Sequence, residues 1–186
     1  MRRARARLRR LSRDERGFSL VELVTALGML AIVVGALASV LVAAMNAERE
    51  MNRRFGSQIE ARLALDQLRR EIHCASAVTP SGASSSITIV LGSRCPTAGA
   101  GTTVSWCTTG TGSRYALYRV ASATCSPSGK RAADHLTSGA VFAFAPESST
   151  SLAVLSVTLP VNTRPESGLP DYRLEDDIVL RNSSLS

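Results

Sequence analysis

A single carboxylate, Glu22, stands inside an apolar run that extends from Phe18 to Met45. A carboxylate deep in hydrocarbon costs on the order of 3 kcal/mol even on insertion scales, so it calls for a partner. The Gly17–Phe18 junction can supply one. Hydrolysis there would create an α-amine one helical turn before Glu22. The helix dipole already favours an acid in the first turn, and an amine on the same or a neighbouring chain would pair with it in the low-dielectric layer. Before the cut that partner does not exist. On this reading the chemistry expected at this end of the chain is a cut at the junction followed by ion pairing.

Other reactive side chains form no catalytic constellation. Four cysteines, Cys74, Cys95, Cys107 and Cys125, all follow the apolar run. An even count in an exported domain favours two disulfides, and the absence of a Cys-x-x-Cys knuckle argues against zinc. Of the three possible connectivities, an up-down-up meander favours Cys74 with Cys107 and Cys95 with Cys125. His73, at a helix end, and His135, in a loop, read as solvated or capping residues. The glycine-rich stretch from Gly99 to Gly112 lacks a Gly-Lys-Ser/Thr ending and is no phosphate loop. Asp171, Glu175, Asp176 and Asp177 could offer oxygens to calcium, but a solvated loop is the simpler account. Trp106, Tyr115 and Tyr118 read as sheet core. No nucleophile with a base is visible, so the chain reads as a non-enzyme without cofactor or metal.

The elements that position Glu22 begin with charge. Of the 22 basic residues, eight arginines fall in residues 1–16 against Asp14 and Glu15, giving that segment +6 and leaving the remainder at +1. The pI near 10 therefore describes one basic arm and not a nucleic-acid-binding body. A basic arm before an apolar segment addresses a chain to a membrane with the arginines on the cytoplasmic side. The apolar run of 28 residues is too long for a cleavable secretory core of roughly 7 to 15 residues. As a helix it measures about 42 Å, against roughly 30 Å of hydrocarbon. An uncleaved anchor fits that length but leaves Glu22 unexplained.

From Asn46 the sequence turns to charged helix formers without a proline before Pro80. Apolar residues at Met51, Phe55, Ile59, Leu63, Leu68, Ile72 and Ala75, with charges including Glu71 on other faces, predict an amphipathic helix with one buried stripe. Span and amphipathic segment are expected to form one rod, Phe18 to Val78, roughly 90 Å long. Beyond Pro80, short β-rich runs alternate with Gly, Ser, Thr and Pro. The expected strands are Ser86–Leu91, Thr102–Thr108, Arg114–Ala121, Ala140–Ala145, Leu152–Val161 and Asp177–Arg181, the first three as a meander. Loops are expected at Ser81–Ser86, Cys95–Gly101, Ser122–Ala133 and Asn162–Pro170. The fold class is α+β, a long helix whose upper half lies on an antiparallel sheet. The expected domains are a leader at 1–17, a transmembrane helix at 18–45, an amphipathic helix at 46–78 and an exported β domain at 79–186.

Gly17-Phe18-Ser19-Leu20-Val21-Glu22-Leu23, with its basic leader and long apolar run, resembles the class III signal of type IV pilins and the pseudopilins of type II secretion. The resemblance implies that a membrane prepilin peptidase cuts after Gly17 and methylates the Phe18 amine. Glu22 would then pair with the Phe18 amine of an adjacent subunit during assembly. It also implies that Gly28 and Gly35 let helices approach closely or unwind on assembly. The proline of many major pilins is absent. Leu68-Arg69-Arg70-Glu71-Ile72, Leu117-Tyr118-Arg119 and Ile178-Val179-Leu180-Arg181-Asn182 resemble the minor subunit PilW and its J-type pseudopilin counterpart.

The implied function is a minor pilin or pseudopilin at the tip or in initiation. It is inserted by a single pass with the β domain exported and later joins a surface or periplasmic filament. Its partners are the peptidase, other pilin or pseudopilin subunits and the membrane. The alternative is a filament-displayed adhesin or DNA-uptake receptor using Arg94, Arg114, Arg119, Lys130 and Arg131. Near-neutral mature charge without interleaved aromatics argues against nucleic acid.

Overall fold

The computed structural model describes residues 19–92, 95 and 102–181. Helix α1 runs from Leu20 to Cys74, and the chain divides into two units between Arg49 and Glu50. In the first unit every residue from Leu20 to Arg49 is exposed. Leu20, Met29 and Ile32 are each at least 70% accessible, so none of the described residues covers this apolar surface. It belongs to the one described helix long and apolar enough to cross a membrane.

In the second unit the helix from Glu50 to Cys74 packs on a curled antiparallel sheet. The buried face differs from the expected stripe. Ser57, Ala61, Ala64, Leu65, Leu68, Glu71 and Ile72 are covered, while Met51, Phe55 and Leu63 are more than 60% exposed and Ile59 is 40% exposed. Small residues at 57, 61 and 64 bring the helix close to the sheet, so the inner face carries less apolar bulk there than the outer one. A stripe read from large apolar residues follows the wrong side over these turns.

The helix ends at Cys74, short of the expected Val78. Residues Ala75–Thr79 form strand β1, because Thr79 precedes Pro80 and is pushed away from helical geometry, and Ala75 pairs with Leu91. The remaining strands are β2 (Gly82–Ser84), β3 (Ser86–Leu91), β4 (Thr103–Thr111), β5 (Arg114–Val120), β6 (Lys130–Leu136), β7 (Phe142–Ala145), β8 (Val154–Val161) and β9 (Tyr172–Val179). The expected meander is β3-β4-β5. Strand β6 begins inside the loop expected at Ser122–Ala133 and was not expected as a strand; Lys, Arg, Ala and Asp are poor strand formers, and pairing with β5 through irregular register overrides them. Strand β9 starts five residues before the expected one and holds Glu175, Asp176 and Asp177, with Asp171 just ahead of it. The loop expected at Cys95–Gly101 lies, apart from Cys95, outside the described residues.

The sheet order is β1-β3-β4-β5-β6-β8-β7-β2, with β9 on the other edge of β8. All pairs are antiparallel. Strand β8 meets β6 at the single pair Leu136–Val161 and meets β7 over Val154–Val157. Only Pro80 and Ser81 separate β1 from β2, yet these strands occupy opposite ends of the order. Two residues span at most about 10 Å between strand ends, so the sheet must curl until its ends come together. Trp106, Leu68, Ile72, Ile87, Leu117 and Leu155 are fully buried in the resulting core.

Candidate assembly site and the clamp that carries it

Glu22 sits in the first turn of α1 and is exposed. The Leu23 amide donates to the Ser19 carbonyl at 3.0 Å, closing the turn, and the Thr25 hydroxyl donates to the Glu22 carbonyl at 3.0 Å. The Glu22 side chain thus projects from an ordered helix start where the macrodipole favours negative charge. Gly17 and Phe18, the expected cleavage and methylation positions, lie outside the described residues.

The other end of the helix is tied to the sheet by a carboxylate that the sequence pattern placed on a solvated face. Glu71 is completely buried. Its Oε1 accepts from Arg119 Nε at 2.7 Å and from Gln67 Nε2 at 3.3 Å, and its Oε2 accepts from Trp106 Nε1 at 2.8 Å. Trp106 and Arg119 are register partners on β4 and β5, so one helix side chain engages two neighbouring strands. Both carboxylate oxygens are bonded, the condition under which a buried charge is tolerated. Neither the spacing from Glu71 to Trp106 nor that to Arg119 follows a periodicity, and no sequence signal marked the trio.

The disulfides lie beside this clamp, with pairings other than those expected. Cys74 joins Cys95, with Cα atoms 5.3 Å apart, and Cys107 joins Cys125, with Cα atoms 6.0 Å apart. The unforeseen β1 explains the change. It turns the chain back against β3 directly after Cys74, so that the Gly92 amide donates to the Cys74 carbonyl at 3.0 Å. Cys74 therefore sits where β3 leads towards Cys95. Cys107 does pair with Ser86 at the start of β3, but Cys74 is absent from that end, and Cys125 from the loop after β5 bonds it.

A second row of contacts joins α1 to β9. Arg69 donates to Asp176 at 2.7 Å, and that carboxylate raises the guanidinium's already high pKa. Arg62 donates to the Tyr172 hydroxyl at 2.8 Å and lies 5.7 Å from the ring centroid. His73 Nδ1 lies 3.2 Å from the Val179 carbonyl oxygen. Near the start of this unit, Glu50 accepts from Arg54 at 2.9 Å and from Thr163 at 3.2 Å, and Arg164 Nη2 stands 3.0 Å away. The Arg54 hydrogen bond leads the causes that hold the Glu50 carboxyl below its ordinary value.

The acidic cluster has internal partners. Asp171 accepts from Thr137 and Asn162, Asp176 from Arg69, and Asp177 from Ser156. Among the described residues no group of three or more His, Cys, Asp or Glu side chains could hold a metal ion. The cations expected to serve a nucleic-acid or adhesin surface are not pooled. Arg119 points inward to Glu71, Arg114 pairs with Glu166 at 3.2 Å and Arg131 with Asp134 at 2.8 Å. Arg94 lies outside the described residues.

A long helix, apolar in its first part and packed in its second part on a curled antiparallel sheet, is a pilin-like α+β architecture. Residues 12–38 match the family model of the prokaryotic N-terminal methylation motif. That match covers the junction, Glu22 and the first three quarters of the apolar run, and it supports a class III prepilin signal on a type IV pilin or pseudopilin. No curated protein and no solved structure gave a match.

Proposed function

We propose that this chain is a minor pilin or pseudopilin, a structural subunit that enters a type IV pilus or a type II secretion-like filament at its initiation or tip. The observation that carries the reading is Glu22, the lone acid in the first turn of an otherwise uncovered apolar helix, within the matched methylation motif. Peptidase cleavage after Gly17 would remove +6 of charge and create the amine that Glu22 lacks. Methylation of Phe18 would leave that amine charged, and pairing with Glu22 of an adjacent subunit would offset its burial. Before assembly the apolar segment would anchor the chain with the second unit on the far side of the membrane from the arginines.

The minor-subunit assignment draws further support from where the three short PilW-like patterns fall. Leu68, Glu71 and Ile72, then Leu117 and Arg119, then Ile178 and Leu180 are all core or clamp residues. Among them, Glu71 and Arg119 join the helix to the sheet.

Glu22→Ala is expected to be cleaved and membrane-inserted normally but to fall at least tenfold in the sheared filament fraction. Gly17→Val is expected to retain its leader, seen as a slower-migrating band. Normal filament incorporation of Glu22→Ala would sink the assembly role.

A further inference from the structure

The two disulfides differ in what solvent reaches. Cys107, in β4, is completely buried, whereas its partner Cys125 is exposed. In the other pair Cys95 keeps 7% of its accessibility and Cys74 is half-buried. Cys125 lies in residues 121–129, the connection from β5 to β6, and this segment bonds to itself. The Thr124 amide donates to the Ser122 hydroxyl at 3.2 Å, the Ser128 amide to the Ser126 hydroxyl at 3.2 Å and the Gly129 amide to the Ser126 carbonyl at 3.1 Å. Among the described residues no hydrogen bond joins 121–128 to the rest of the chain, so the disulfide is what ties them to β4. At the segment's end Gly129 lies flush on β5, where a Cβ would stand 2.7 Å from the Arg119 carbonyl oxygen and from Val120 Cγ2. The segment is pinned at Cys125 and Gly129, and its backbone groups between them are available to another chain.

We propose that Cys107–Cys125 is a thiol-exchange site, and that Cys125 is the sulfur engaged by a thiol–disulfide exchange protein on the exported side. The inference rests on the reading of the second unit as exported. Exchange proceeds by attack of a thiolate on a disulfide sulfur through a mixed disulfide, and Cys107 offers solvent no surface for either role. In oxidation the Cys125 thiolate attacks one sulfur of the partner's disulfide. That bond breaks, and the partner's other sulfur leaves as a thiolate. The Cys107 thiolate then attacks Cys125 Sγ, closing the native bond and releasing the partner's remaining sulfur. The subunit gives up two electrons and two protons, and the partner takes both to become a dithiol. Reduction retraces the path, with the incoming thiolate bonding to Cys125 and Cys107 leaving. An extended segment with unused backbone groups suits docking along a partner's backbone, and opening the bond frees it while β4 keeps its pairing with β3 and β5.

The test first treats the purified full-length chain in detergent with reduced glutathione under native conditions, then acid-quenches it and maps the peptides. Glutathione is expected on Cys125 in about tenfold excess over Cys107, and the Cys107–Cys125 bond is expected to open about fivefold faster than Cys74–Cys95. Adducts chiefly on Cys107, or equal opening of the two bonds, would overturn the proposal. In cells, the full-length Cys107→Ala chain, acid-quenched and blocked with a maleimide, is expected to carry a reducible adduct of protein size on Cys125, and Cys125→Ala to carry none. A glutathione-sized adduct alone, no adduct, or equal adducts on both variants would count against it as firmly. Cys107→Ala also loses a cross-link, so the glutathione experiment on the unaltered chain reads the same asymmetry independently of that variant's folding. Neither experiment reads assembly. Normal incorporation of Glu22→Ala would sink the filament reading and leave this site standing, and glutathione on Cys107 would do the reverse.

Discussion

Glu71 shows how much one side chain can decide. Its carboxylate is fully covered, and Arg119 retains only 17% exposure, so removing either partner strands a charge in a poorly solvated site. Such losses cost about 3–5 kcal/mol. Arg119→Met is expected to be the worse single change, since it leaves the completely buried acid without its cation. Glu71→Leu combined with Arg119→Met should recover part of the loss, because apolar volume replaces the ion pair while the buried Trp106 N–H loses its acceptor. Urea unfolding followed by the fluorescence of Trp106, the single tryptophan, measures all three. Equal destabilisation by the double variant and Arg119→Met would refute the coupling.

Glu50 gives a pH prediction at the same scale. Its carboxyl is held below the ordinary value of 4.5, chiefly by the Arg54 hydrogen bond, so between the two values the unfolded chain binds more protons than the folded one. The contribution is present above 4.5 and is lost as pH falls through the lower folded value. Glu50→Gln is therefore expected to reduce stability at pH 7 and to flatten the acid limb of the stability profile. An unchanged acid limb would contradict this assignment.

Among the elements, α1 and the central meander were legible because a breaker-free helical sequence and β-rich runs bounded by turn residues announce themselves. Strands β1, β2 and β6 were not. They have short or weakly β-forming sequences, and their pairing partners, not their own composition, hold them extended. Missing β1 carried the cysteine assignment with it, since a strand inserted after Cys74 changes which end of the meander that residue reaches. Reading the helix face from its largest apolar residues inverted inside and outside over residues 51–63, because the face against the sheet is built there from serine and alanine. Each disulfide encloses roughly 20 residues, and on the loop-entropy account each contributes about 3 kcal/mol. Non-reducing peptide mapping is expected to link Cys74 with Cys95 and Cys107 with Cys125. Cys74→Ser/Cys95→Ser should lower the urea midpoint by an amount corresponding to that energy.

Over the whole molecule, the N-terminal motif and the fold class were more legible than the contacts that hold the second unit together. Glu22 stands out because a long apolar run admits so few charged side chains that one acid near its start is conspicuous. The globular unit is held by contacts between residues far apart in sequence, such as Glu71 with Arg119 and Arg69 with Asp176. No local pattern encodes those.

The placing of β1 and β2 at opposite ends of the strand order has a temporal meaning. Strand β2 finds its partner only in β7, about sixty residues later, and the helix completes its polar contacts only with β9. A chain emerging from its N-terminus must hold these early segments open until its last third arrives, so any prematurely ended copy is left with an unsealed seam. Full length is thus a condition for closure, and a protease that samples open strands can distinguish finished subunits from fragments without recognising any sequence.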